Sequence, residues 1–147
     1  MPRNAVAYDD DFFAWTQEQA RLLRDGELSD VDAENLAEEI ESMGRSDRRE
    51  IRSRLTVLLA HLLKWQFQLS GRLTSWSRTI REQRSQIELV LGDSPSLRSF
   101  AAETIGEAYP KARLDAADET ELSQSAFPDV CPYTPDEVFS EDFLPDC

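Results

Sequence analysis

Within residues 37 to 54, AEEIESMGRSDRREIRSR, two blocks of opposite charge meet: Glu38, Glu39 and Glu41 precede Gly44, and Arg45, Arg48, Arg49, Arg52 and Arg54 follow it. On a helix, Glu34, Glu38 and Glu41 fall within about 60° of one another, a stripe that offers oxygen ligands to a metal. A di-metal carboxylate bundle also needs Glu-x-x-His on each of two helices. The chain has one histidine, His61, with Leu58 three residues before it. No metal and no cofactor is therefore expected, and the stripe reads as a solvated or ion-paired flank. The arginines are the better candidate. Arg45, Arg48, Arg49 and Arg52 span an arc of about 100°, beside the apolar seam of their helix. Guanidinium groups so placed can grip phosphates bidentately, and Arg78 and Arg81 add a pair further along. The competing account is ion pairing, since Glu41–Arg45 and Glu50–Arg54 are four apart with Glu first, the favourable order. These four arginines are the candidate partner or anion patch.

A second polar group, His61, Lys64 and Gln66, interrupts the apolar run LLAHLLKWQFQ. Trp65 is four residues from His61, which predicts an imidazole lying over an indole at the core edge. Gln66 falls on the Leu55–Leu59–Leu62 seam, so if its amide is buried it needs partners, from a helix end or from the C-terminal segment. Covalent catalysis finds no set of groups to carry it. Cys131 has no second histidine to serve as base, no serine sits in a Gly-x-Ser-x-Gly elbow, and no Gly-rich phosphate loop occurs. The residues argue against an enzyme and assign no catalytic side chain.

The elements that must position these groups all read as helices. Apolar residues recur at helical spacing, and no sustained period-two alternation is found. A first helix spans 9–24, with Asp9, Asp10 and Asp11 at the positive end of its dipole and Phe13, Thr16, Ala20 and Leu23 on one face. Gly26 ends it, and Ser29 caps the next with Asp32 in capping-box position. The second helix, 30–43, carries Ala33, Leu36, Ala37, Ile40 and Met43 on one stripe. The third, 46–69, carries Ile51, Leu55, Leu58, Leu59, Leu62, Trp65 and Leu69. Joined, the two would run about 60 Å, beyond the usual globular range, so a break or kink is expected near Gly44–Ser46. A fourth helix, 74–91, shows Trp76, Ile80, Gln83, Ile87, Val90 and Leu91. GDSPS follows, with Gly92 as C-cap, Ser94 as N-cap and Pro95 at the first helical position. The fifth helix carries Leu97, Phe100, Ala101, Ile105, Ala108 and Ala112, and Pro110 predicts a kink or early end. From Leu122 onward four prolines and the aromatics Phe127, Tyr133, Phe139 and Phe143 predict extended structure packed on the helices, with one short helix at 135–140.

At 147 residues the length suits one domain: a helical bundle over about 9–118 and an irregular C-terminal segment over about 122–147. The fold class expected is all-α, a bundle of about five helices. The formal charge of −13 is uneven. Residues 1–44 and 92–147 are acidic, and residues 45–91 are basic. Such a chain repels phosphate at long range, which disfavours nucleic acid and anionic membrane as partners. MPRNAVAYDDDFF lacks the apolar core of a signal peptide, and no apolar run approaches about 18 residues. Two cysteines, Cys131 and Cys147, make no disulfide framework. A cytoplasmic protein is the expectation.

The stretches YDDDFFAWTQEQARLLR, DAENLAEEIESMGRSDRREIRSRL, LLAHLLKWQFQ, SWSRTIREQR, SPSLR and SAFPDVCPYTPDEV resemble, in this order, a bacterial domain-of-unknown-function family, DUF 29. The resemblance covers nearly the whole chain and implies an intracellular, predominantly helical, single-domain protein. It implies no reaction, cofactor or catalytic residue, and Pro110 is a local departure from the pattern. The residues themselves favour a noncatalytic protein-interaction or regulatory helical module, partnered by protein and expected to self-associate. Binding of nucleic acid or another polyanion through the arginine stripe is one alternative; an enzyme or metal protein with an unrecognised site is the other.

Overall fold

Five α-helices and three short 3-10 turns make up the regular structure, and no strand occurs among the described residues. The computed structural model describes residues 6–146; residues 1–5 of the N-terminal stretch and Cys147 lie outside them. The helices are α1 (Phe12–Arg24), α2 (Ala33–Phe67), α3 (Thr74–Asp93), α4 (Leu97–Thr120) and α5 (Pro135–Phe139). The chain divides into two compact units, Met1–Ser46 and Asp47–Cys147, and α2 contributes to both.

In the first unit, Asp11 caps α1 by accepting the Ala14 N–H at 3.0 Å. Gly26 follows the helix at φ +75°, a conformation natural to glycine. The α1 face expected from the sequence is rotated in the structure. Trp15, Gln19 and Leu22 are the buried residues, whereas Phe13 is 71% and Leu23 is 47% exposed. A polar bolt decides the rotation. Trp15 Nε1 donates to Asp32 Oδ2 at 3.0 Å, the Asp32 N–H donates to Gln19 Oε1 at 2.7 Å, and Asn35 Nδ2 donates to Asp32 Oδ2 at 2.8 Å. With its carboxylate so held, Asp32 opens α2, accepting the Leu36 N–H on its carbonyl. Ser29 sits in a 3-10 turn, Leu28–Asp30, and not at the cap expected for it.

The expected break at Gly44–Ser46 is absent, and α2 runs uninterrupted for 35 residues, about 52 Å. One glycine costs only about 1 kcal/mol in a helix, and its neighbours are mostly good helix formers such as Glu, Met and Arg. Arg45 also donates to Glu38 at 2.7 Å across the glycine. Helical side chains lean toward the N-terminus and seven residues make nearly two turns, so Glu38 lies in line with the Arg45 stem. This pair replaces the expected Glu41–Arg45 pair, whereas Glu50–Arg54 forms as anticipated, at 2.9 Å.

The second unit holds the main core. Ile51, Leu55, Leu58, Leu59, Leu62 and Leu63 of α2 are fully buried against Ile80, Ile87 and Leu91 of α3 and an alanine-rich face of α4. Each large apolar side chain buried there contributes about 1.5–3 kcal/mol. Helix α2 stops at Phe67, and Leu69, expected on its seam, is half exposed in a 3-10 turn. Helix α3 continues through Gly92, and Ser94 caps its end by donating its N–H to the Val90 carbonyl. Ser94 therefore does not open α4, which begins two residues beyond Pro95. Pro110 does not end α4. A proline interferes with the carbonyl four residues back; here that residue is Gly106, and both are exposed, so water can satisfy the group. Past Leu122 the chain is irregular as expected, with a reciprocal capping box between Thr134 and Glu137 opening α5.

Candidate functional site

The arginine face is not one uniform patch. Arg45, an α2 residue of the first unit, is held by Glu38. In the second unit, Arg48 and Arg52 lie over the Phe100 ring of α4, with Cζ at 5.0 and 5.8 Å from its centroid. Arg49 is exposed. Among the described residues no carboxylate lies within 4.0 Å of Arg48, Arg49 or Arg52. The face thus has an aromatic partner that the sequence pattern does not reveal. Each guanidinium–ring contact contributes about 0.5–1 kcal/mol at an exposed site.

The polar cluster divides. His61 and Lys64 come together with two residues that the sequence pattern does not join to them, Glu119 and Trp76. Lys64 is 5% exposed. Its Nζ donates to Glu119 Oε1 at 2.7 Å, stands 3.5 Å from His61 Nε2 and lies 4.9 Å from the Trp76 centroid. His61 Nδ1 donates to the Val57 carbonyl at 2.9 Å, which leaves Nε2 to accept. Burial first, and then the Lys64 ammonium, hold the imidazole below its ordinary range, while the Val57 carbonyl opposes them. The ammonium is thus enclosed by a carboxylate, an imidazole and an indole face. Trp65 is covered by Arg72, 4.7 Å from its ring. The Arg72 Nε also bonds the Trp65 carbonyl at 2.7 Å, which fixes the guanidinium there. Gln66 lies apart from the cluster. Its Oε1 accepts from the Tyr133 hydroxyl at 2.8 Å, which ties α2 to the C-terminal segment.

Arg84, which no sequence motif singles out, is 4% exposed and makes the most extensive single-residue contact with that segment. Nε donates to the Val138 carbonyl at 2.9 Å, Nη1 to that of Phe143 at 2.8 Å and Nη2 to that of Glu137 at 3.1 Å. Its signal is positional, because it falls on the Ile80–Ile87–Leu91 seam, where a guanidinium needs partners. Arg81, Arg84, Ser85, Glu88, Leu89, Glu141 and Asp142 line a mixed-charge cleft of about 490 Å³ beside it. The glutamate stripe Glu34, Glu38 and Glu41 is exposed. No group of three or more potential metal ligands converges among the described residues.

The first unit carries an apolar groove of about 360 Å³. Helix α1 supplies Phe12, Trp15 and Leu23 to it, and α2 supplies Leu36, Ile40 and Met43. Phe12 is 50%, Ile40 62% and Met43 63% exposed, so the stripe is only partly covered within the first unit. With about 150–250 Å² available on a large side chain, the exposed apolar residues of this face present on the order of 500 Å². Tyr8 packs edge-on against Phe12 and Trp15, with centroids 5.6 and 4.8 Å away.

A family model described as Domain of unknown function DUF29 matches residues 7–144. No curated protein and no solved structure matches the chain.

Proposed function

The chain belongs to the DUF29 family, and on that footing we propose that it acts as a noncatalytic protein-interaction module, cytoplasmic, with the groove of the first unit as its binding face. One observation carries the reading: Phe12, Leu23, Ile40 and Met43, at helical spacing on two adjacent helices, leave an apolar concavity open. Apolar stripes on paired helices ordinarily face a neighbour, and exposed patches of this size are often functional. Site-specific photo-crosslinking tests it. A crosslinker at Met43 in the native cell should give a discrete protein adduct, and one at exposed Gln17, which does not line the groove, should not. No adduct at Met43, or an adduct to nucleic acid, would refute the reading.

A second reading is favoured by Arg48, Arg49 and Arg52, which have no close carboxylate among the described residues, and by the Phe100 ring beneath two of them. Such a face suits a polyanion. It requires binding that falls steeply with added salt and disappears in the Arg48→Glu, Arg49→Glu, Arg52→Glu triple variant. Binding that persists in the variant would exclude it.

A further inference from the structure

We infer that the groove of the first unit receives an amphipathic helix from a different protein, with Lys and Arg on the flanks of its apolar face. This rests on the reading of the groove as a protein-binding face and specifies its occupant. Shape gives the first part. The groove is walled by two helices, and from Phe12 to Leu23 it extends about 16 Å, enough for three turns of a helix offering apolar anchors at i, i+4 and i+7.

Charge gives the second part. Residues 6–46 hold twelve carboxylates and three arginines. Two of those arginines are already engaged, Arg21 by Glu18 and Asp25, and Arg45 by Glu38. Glu39 lines the groove itself, and Asp9, Asp10 and Asp11 directly precede Phe12. At this end the Tyr8 hydroxyl is pushed above its ordinary range, by burial first and then by Glu39, Glu38 and Asp9. An apolar floor in a negative field selects a basic amphipathic helix and rejects an acidic one. A second copy of this unit would bring a like-charged surface onto it, which disfavours self-pairing through this face.

The test is fluorescence anisotropy on the full chain with three labelled helical peptides. One carries Leu on one face and Lys on its flanks, the second has Glu in place of Lys, and the third has the composition of the first, scrambled to remove the apolar face. The Leu/Lys peptide should bind roughly tenfold or more tightly than either of the others. Ile40→Ser with Met43→Ser, at exposed positions and with the melting curve unchanged, should weaken it by a similar factor. Comparable binding of the scrambled or the Glu peptide, or indifference to the double substitution, would overturn the inference. So would self-association in sedimentation equilibrium that the same substitutions abolish, because the occupant would then be a second copy. In that case, or if the Glu peptide binds at the groove, the protein-interaction reading stands and only the basic helix falls. If no peptide binds, the chain is monomeric and Met43 crosslinks to no protein, both fall together.

Discussion

Removing the Arg84 guanidinium should release the C-terminal segment from the second unit. Arg84→Met keeps most of the stem and deletes all three donors, which leaves the carbonyls of Glu137, Val138 and Phe143 without their partner. A hydrogen bond to a charged group contributes about 1.5–3 kcal/mol. Three of them overstate the net effect, since burial opposes the charge and holds the guanidinium below its ordinary range. The cost of leaving a buried acceptor unsatisfied, about 1–3 kcal/mol, is the better guide. The substitution removes the charge itself and leaves neutral carbonyls, of which only that of Val138 is in a fully buried bond. Arg84→Lys keeps the charge but replaces a planar fork with a compact ammonium, so it should recover only part of the loss. Urea denaturation followed by circular dichroism measures the cost, and limited proteolysis reports whether cleavage moves into residues 122–146. A cost below about 1 kcal/mol for Arg84→Met, with the segment still resistant to protease, would refute the assignment of Arg84 as its anchor.

Two further outcomes test local features. Gly44 lies within a continuous helix, and a methyl group on its Cα would meet nothing within 4 Å, so Gly44→Ala should stabilise α2 locally by about 0.8–1 kcal/mol. Amide exchange around residue 44 should slow roughly four- to fivefold, and faster exchange would mean that the chain bends there. The single imidazole of the chain, His61, should titrate below its ordinary 6.5 because burial and the Lys64 ammonium disfavour its charged form. The unfolded chain then binds the proton more tightly, so this contribution to stability is complete above about pH 6.5 and is lost as pH falls through the folded value. A nuclear magnetic resonance titration of its one Hε1 signal decides it, and a midpoint at or above 6.5 would contradict the burial argument.

The all-α class and the seam Ile51, Leu55, Leu58, Leu59 and Leu62 were legible because long apolar periodicity, few glycines and absent alternation all point one way. The short helix expected at 135–140 was legible too and forms as α5, Pro135–Phe139. Other features were hidden for a common reason, since an apolar-pattern reading discounts a polar residue on a seam. Gln19 lies between Trp15 and Leu22, and Arg84 between Ile80 and Ile87. Both are buried, and both take their hydrogen-bond partners from distant parts of the chain: Asp32 for Gln19, and the carbonyls past residue 136 for Arg84. Only the fold supplies those partners. The Glu119 carboxylate on Lys64, 55 residues away in sequence, is illegible for the same reason. Gln66 shows the opposite case, because its place on the seam announced a need that Tyr133 meets.

Two stripes on one helix separate periodicity from burial. Leu36, Ile40 and Met43 recur along α2 as Ile51, Leu55 and Leu58 do, with spacings of three or four residues in both sets. Ile51, Leu55 and Leu58 are fully buried, because α3 and α4 lie against them. Ile40 and Met43 remain more than half exposed. The α1 side chains that could have covered them belong to a helix turned by the Trp15–Asp32–Gln19 bolt. That bolt sends Trp15 and Leu22 inward and leaves Phe13 and Leu23 largely exposed. Periodicity therefore records that a helix face suits an apolar neighbour, and the polar contacts decide whether the same chain provides one. Along the first part of α2 the described residues of its own unit leave that face largely open, which is the physical ground on which the proposed helical partner rests.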